Sequence, residues 1–187
     1  MHELILGGQR SGKSRLAEQR AVDWLARSPQ HRAVMVATAQ AWDEEMRTRI
    51  ERHRSDRAER LPGMETIEEP LHVAEAILVL SKPDTLVLVD CLTLWLTNLL
   101  MPPELDAGRA AAPGTEDLLA LLPTALAEAD GPVVLVSNEI GLGVIPMGAE
   151  VRAYVDALGR LNQMAATACE RVTFMAAGLS LTLKQPG

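Results

Sequence analysis

Gly7-Gly8-Gln9-Arg10-Ser11-Gly12-Lys13-Ser14 follows a short apolar run at 3–6 and opens a segment of helical spacing that reaches about residue 27. It fits G-x-x-x-x-G-K-[ST] at every fixed position, with the strand ahead and the helix behind that this motif requires. Glycines let backbone N–H groups converge on phosphate oxygens, and the positive end of the following helix adds to the attraction. Lys13 brings a flexible charge to the β- and γ-phosphates of a triphosphate, and Ser14 a hydroxyl ligand for Mg²⁺. A strand, a phosphate loop and a helix are therefore expected at the start of the fold.

Outward from that loop, β-branched runs alternate with longer segments of helical period. Strands are expected at 3–6, 32–38, 85–90, 132–137, 172–176 and 179–184, and helices near 13–27, 42–54, 70–80, 91–100, 115–129 and 148–169. This is the α/β pattern of a mostly parallel sheet flanked by helices, and with the phosphate loop it reads as P-loop NTPase-like, of the RecA-like kind. The two-residue turn Ala177-Gly178 makes the last pair of strands antiparallel at one edge. Residues 57–63 and 101–114 carry Pro-Gly turn signals and little periodicity, so they are read as irregular. No repeat and no internal boundary is visible, and 1–187 reads as one domain.

Composition narrows the function. The formal charge of −7 argues against a nucleic-acid binder, which needs a basic face to neutralise phosphate. Cys91 and Cys169 have neither metal nor redox spacing and are read as buried, reduced thiols. The longest apolar stretch, 86–100, is interrupted by Asp90 and Asn98 and is too short to span a bilayer. The start of the chain carries no secretory leader, so a cytoplasmic protein with no membrane span is expected.

A phosphate loop works with a carboxylate that organises the metal on a nearby strand. Leu86-Val87-Leu88-Val89-Asp90 supplies one, placing Asp90 at the carboxyl end of an apolar strand, where open α/β sheets bind ligands. Asp90 could in addition cap the helix that follows, a role compatible with the first. The stretch 43–60 holds six arginines, at 47, 49, 52, 54, 57 and 60, around the single His53. Part of it is a solvated face, since Asp43 with Arg47 and Glu45 with Arg49 stand four apart. Near His53 the acids thin out while arginines continue on both sides. A neutral imidazole is a competent nucleophile toward phosphorus, and neighbouring arginines would screen the charge that repels it.

Several segments together resemble one family. They are the loop Gly7 to Ser14, Val36-Ala37-Thr38-Ala39, Asp43-Glu44-Glu45-Met46, Arg49-Ile50-Glu51-Arg52-His53-Arg54-Ser55-Asp56-Arg57 and Thr66-Ile67-Glu68-Glu69-Pro70. Val89-Asp90-Cys91-Leu92-Thr93-Leu94-Trp95-Leu96-Thr97-Asn98-Leu99-Leu100 and Ser137-Asn138-Glu139-Ile140-Gly141-Leu142-Gly143-Val144-Ile145-Pro146 complete the set. In that order they are similar to the bifunctional adenosylcobinamide kinases and adenosylcobinamide-phosphate guanylyltransferases of the CobU/CobP type.

The resemblance implies phosphorylation of adenosylcobinamide by ATP or GTP, then attachment of GMP from GTP to that phosphate through a guanylylated histidine. By position that histidine is His53. The implied nucleotide-binding set is Gly7, Gly8, Gln9, Arg10, Ser11, Gly12, Lys13, Ser14, Ala37, Thr38, Ala39, Arg54, Ser55, Asp56, Arg57, Glu68 and Asp90, with Mg²⁺ on Ser14 and Asp90. A homotrimer is implied as well. The chain departs from the pattern at Leu61-Pro62-Gly63-Met64, where the family commonly reads Arg-Pro and then Trp, so Glu65 or Glu69 could take the place of Glu68.

Asn138, Glu139, Gly141 and Gly143 follow an expected strand and fit either a pocket wall or a glycine turn. His2, His31 and His72 read as surface or helix-terminal residues, and Leu158, Leu161 and Ala165 as core. Trp42 and Trp95 fit burial or a subunit contact better than a flat ligand. The rival functions are a P-loop small-molecule kinase with one activity and a GTP-dependent switch. The switch lacks the Asn-Lys-x-Asp sequence that reads guanine.

Overall fold

The computed structural model describes residues 1–41, 44–101 and 114–187, without the side chains of Arg49, His53, Asp56, Arg57, Ala58 and Glu59. Trp42, Asp43 and 102–113 thus lie outside the described residues. The strands are β1 (Glu3–Gly7), β2 (Arg32–Ala37), β3 (Glu65–Glu68), β4 (Thr85–Asp90), β5 (Val133–Asn138), β6 (Arg171–Ala176) and β7 (Leu179–Lys184). The helices are α1 (Lys13–Leu25), α2 (Glu44–Arg60), α3 (Val73–Leu80), α4 (Leu92–Leu100), α5 (Thr115–Glu128) and α6 (Ala149–Ala168).

All seven strands form one sheet in the order β3-β2-β4-β5-β1-β6-β7. Every neighbouring pair is parallel except β6 with β7. The central strands read as unbroken apolar runs because both of their faces are covered. Successive side chains go to opposite cores. Leu4 and Leu6 join Val87, Val89, Leu135 and the helices α3 to α6, whereas Ile5 joins Met35, Leu88 and Val136 under α1. The small Ala17 and Ala21, both wholly buried, let α1 lie close to the sheet. On the other face the stripe Leu158, Leu161 and Ala165 is core, as expected. Trp95 is fully buried there too, its indole N–H donating to the carbonyl of Leu71 at 2.7 Å.

Among the described charges that enter the interior, Glu3 is the most deeply buried. Glu3, 2 % exposed, accepts from Arg20 of α1 at 2.7 and 3.2 Å and from Thr173 Oγ1 of β6 at 2.7 Å. Those bonds satisfy a carboxylate whose burial would otherwise be costly, and they tie α1, β1 and β6 together. At the edge, Ala177 (φ 52°) and Gly178 (φ 81°) make the two-residue turn between β6 and β7. From β7, Lys184 Nζ donates to the carbonyls of Ala166, Thr167 and Cys169 at 2.6–3.1 Å, meeting acceptors that the end of α6 leaves open.

Two expectations are corrected. Residues 57–60 are not irregular: α2 continues to Arg60, since Arg and Glu favour helix and the break comes only at Leu61-Pro62-Gly63, where Gly63 takes φ 99°. The strand β3 was not anticipated. Its four residues, Glu-Thr-Ile-Glu, are exposed or half-buried at the sheet edge and carry no alternation; pairing with β2 alone makes them a strand. Among the described residues no helix is long and apolar enough to cross a membrane.

Candidate active site at the carboxyl edge of the sheet

The phosphate loop leaves β1 at Gly7, and the packing there admits no side chain. A Cβ on Gly7 would lie 2.4 Å from the carbonyl oxygen of Met175 and 2.7 Å from Ser11 Oγ, at φ +155°. The loop is held from both sides by backbone hydrogen bonds. Gly178 N–H, in the β6–β7 turn, donates to Ser11 O at 3.0 Å, and Glu139 N–H donates to Gly7 O at 3.0 Å. Within the loop Ser11 N–H donates to Gly8 O, and Gly12 at φ +100° hands the chain to α1. Lys13, 8 % exposed, reaches back so that Nζ donates to Gly8 O at 2.7 Å. Gln9 and Arg10 are exposed, while Gly8 and Ser14 are half-buried.

Sheet register places the other expected residues along the same edge. Gly7 pairs with Asn138, Asp90 with Val136 and with Ala37, and Ala37 with Glu68. The ends of five strands thus present Gly7, Asn138, Asp90, Ala37 and Glu68 in one row, where an open α/β sheet takes its ligands. The N-cap of α4 is Cys91, with no side-chain cap bond, so Asp90 does not cap that helix. The hydroxyl of Ser14 and the carboxylate of Asp90 are hard oxygen donors, which suits Mg²⁺ completed by phosphate oxygens and water.

Thr38 and Ala39 leave β2 under tight control. Thr38 is fully buried; its Oγ1 donates to Cys91 O at 2.8 Å and accepts from Cys91 N–H at 2.9 Å. Asn98 of α4 donates from Nδ2 to Thr38 O at 2.8 Å and to Pro70 O at 3.0 Å. Of the three glutamates left open by the sequence, Glu69 uses Oε1 to accept from the N–H groups of Leu71 and His72 at the start of α3. Glu65 begins β3 at the far end, and Glu68 ends it at the edge. There Glu68 pairs with Arg54 of α2 at 3.2 Å, both side chains being more than half exposed. Such a pair adds little stability, but it shows that α2 lies beside the edge, and Arg60 meets Glu18 of α1 at 3.2 Å farther along. Ser55 is exposed. The backbone of 53–57 is part of α2; the side chains of His53, Asp56 and Arg57 lie outside the described residues.

Behind Asn138 stands a polar network to which sequence reasoning assigned no role. Asn138 N–H donates to Thr93 Oγ1 at 2.8 Å, Asn162 Nδ2 donates to Asn138 O at 3.0 Å, and Ser137 Oγ donates to Asn162 Oδ1 at 2.7 Å. Tyr154 OH donates to Thr93 O at 3.0 Å. The available signal was a polar residue inside a buried helical stripe: Asn98 between Leu96 and Leu99, Asn162 between Leu161 and Ala165. Cys91, though beside Asp90, is no nucleophile. Burial, and then the Asp90 charge, push its thiol up to about 12. Glu139 Oε1 accepts from Gly141 N–H at 2.8 Å, so this stretch forms a turn, and Gly141 and Gly143 also line a cleft.

A glycine loop clamped at the end of β1, with an acid on β4 one strand beyond its neighbour β5, defines a P-loop NTPase-like nucleotide-binding protein of RecA-like arrangement. Solved structures share this fold. The flagellar accessory protein FlaH from Methanocaldococcus jannaschii superposes with a TM-score of 0.52 at 13 % identity, over 99 % of this chain and 78 % of that one. A protein of Pyrococcus horikoshii OT3 gives 0.54 at 10 % identity, over 98 % and 86 %. Residues 3–183 match the family described as Cobinamide kinase / cobinamide phosphate guanyltransferase. The bifunctional adenosylcobalamin biosynthesis protein CobP of Pseudomonas aeruginosa is 48 % identical over 98 % of both chains. CobU of Escherichia coli is 34 % identical over 97 % of this chain and 98 % of its own. The chain belongs to the cobinamide kinase / cobinamide phosphate guanyltransferase family and is an enzyme of that kind.

Proposed function

We propose that the enzyme first transfers the γ-phosphoryl group of ATP or GTP to the hydroxyl of the aminopropanol arm of adenosylcobinamide. It then forms a P–N bond between His53 and the α-phosphorus of GTP, with pyrophosphate leaving. The cobinamide phosphate oxygen next attacks that phosphorus and releases the imidazole, giving adenosylcobinamide-GDP. The observation that carries the reading is the shared edge: the phosphate loop, Asp90 and the Glu68–Arg54 pair of the helix bearing His53 all stand there.

In this reading Lys13 neutralises charge on the transferring phosphoryl group, and the backbone of Gly7, Gly8, Gln9, Arg10, Ser11 and Gly12 cradles the phosphates. Ser14 and Asp90 hold Mg²⁺, which adds positive charge beside the triphosphate. Ala37, Thr38, Ala39, Arg54, Ser55, Asp56, Arg57 and Glu68 complete the nucleotide-binding set. The enzyme works as one domain over 1–187, as a cytoplasmic homotrimer.

The test is incubation with GTP labelled on the α-phosphate, followed by denaturing electrophoresis. Label on the protein, stable in base and lost in acid, is expected for a phosphoramidate, and γ-labelled GTP should leave none. His53→Ala should carry no label and make no GDP-linked product, yet still phosphorylate adenosylcobinamide. Label on His53→Ala, or a wild type that makes the product without ever carrying label, sinks the assignment.

A further inference from the structure

The connection from β5 to α6 leaves Asn138 beside the phosphate loop and runs through residues 140–147 before α6 begins. Its large apolar side chains stand in solvent: Leu142 is 77 % exposed, Ile145 78 %, Val144 96 % and Met147 97 %. With α6 it walls a cleft of about 520 Å³, lined on one side by Val144 and Ile145 and on the other by Asp156, Arg160 and Gln163. Arg152 braces the two walls, donating from Nη1 to the carbonyls of Pro146 and Met147. A run of exposed apolar side chains beside a concave surface marks a place that something covers.

Three observations say what covers it. Glu139 N–H bonds to Gly7 O and the next residue, Ile140, lines the cleft, so one end of the cleft wall is tied to the phosphate loop, near which the acceptor of a transferred phosphoryl group must be held. The opposite flank of the edge is Glu68, Arg54 and the charged helix α2, which suits phosphate and ribose and not a large apolar body. The cleft joins continuous apolar surface to guanidinium, carboxylate and amide groups one helical turn apart on α6. That combination complements a broad, mostly apolar ring whose rim carries amides.

We propose that this cleft is the corrinoid subsite. The ring lies on residues 143–146, its peripheral amides meet Arg160 and Gln163, and the aminopropanol hydroxyl extends back toward the phosphate loop. The inference rests on the proposed function for the identity of the substrate and adds which residues hold it.

The test uses Val144→Asp and Arg160→Ala, both at solvent-facing positions, in the full-length enzyme. Initial rates of the kinase step are measured with cobinamide varied at saturating ATP, and then with ATP varied. Mass is followed by light scattering. Val144→Asp should raise KM for cobinamide by about tenfold or more while KM for ATP stays within about twofold, with mass unchanged. Protection of residues 140–147 from hydrogen exchange on adding cobinamide alone should accompany it. A wild type that phosphorylates cobinamide, with variants of unchanged cobinamide KM and no protection at 140–147, overturns the subsite and leaves the function standing. A wild type that never phosphorylates cobinamide removes the function itself. Variants that change mass but not cobinamide KM assign the apolar loop to a second copy of the chain, which also overturns the proposal.

Discussion

Asn98→Leu removes a donor from the wall behind the nucleotide edge while keeping a side chain of similar reach. The Asn98 amide is 3 % exposed and donates to Thr38 O at 2.8 Å and to Pro70 O at 3.0 Å. A buried neutral hydrogen bond is worth about 1 kcal/mol net, and an acceptor left unsatisfied costs about 1–3 kcal/mol. Two such losses come to about 3 kcal/mol, which in a chain of this size lowers Tm by about 10 °C. Urea unfolding with an unchanged m-value should show the loss. Because Thr38 and Ala39 lead from β2 into the site, triphosphate affinity, read by fluorescent-nucleotide titration, should fall as well. Asn98→Asp sets a carboxylate against both carbonyls, so its deficit should be larger at pH 7 than at pH 5, where protonation of that raised-pKa group favours the fold. A loss below about 0.5 kcal/mol at constant m, or unaltered nucleotide affinity, would refute the claim that Asn98 sets the path of residues 38–39.

Lys13→Ala should abolish kinase turnover and weaken triphosphate binding, because it deletes the charge that the loop positions over Gly8; near-normal kcat would show that the loop is not used. Cys91 and Cys169 are both buried, with thiols pushed up to about 12 chiefly by desolvation. Neither should react with a maleimide at pH 8 in the native protein, and both should react in urea, as mass spectrometry would record. His2 Nδ1 accepts from Val133 N–H at 3.2 Å, and burial, then the N-terminal ammonium, lowers its pKa from 6.5. The unfolded chain therefore binds the proton more tightly, so the stabilisation is present above pH 6.5 and is lost as pH falls through the folded-state value. His2→Ala should flatten that part of the stability profile; a profile identical to wild type would discard the role.

Much of this was legible before any coordinates. The strand, loop and helix around Gly7 to Ser14, the strand ending at Asp90 and the antiparallel hairpin at Ala177-Gly178 are written in local chemistry: glycines at positive φ, a lysine and a serine at set spacing, a four-residue apolar run closed by an acid. Each depends on residues within one or two turns of each other, so the one-dimensional pattern carries it. Residues 65–68 carry no such pattern and become β3 only against β2, which in turn brings Glu68 rather than Glu65 to the edge. Likewise nothing near Asn98 or Asn162 in the chain tells that their amides support Thr38 and Asn138, since those partners stand 60 and 24 residues away. The amino-acid sequence by itself thus determined the phosphate loop, its acid and the class of sheet, because these are short-range properties of the chain. Only the tertiary structure decided which glutamate and which α2 arginine meet at the carboxyl edge of the sheet, which buried amides hold the edge, and where the apolar 140–147 connection opens its cleft. Those depend on strand order and register, which residues far apart in the chain settle only when they pack.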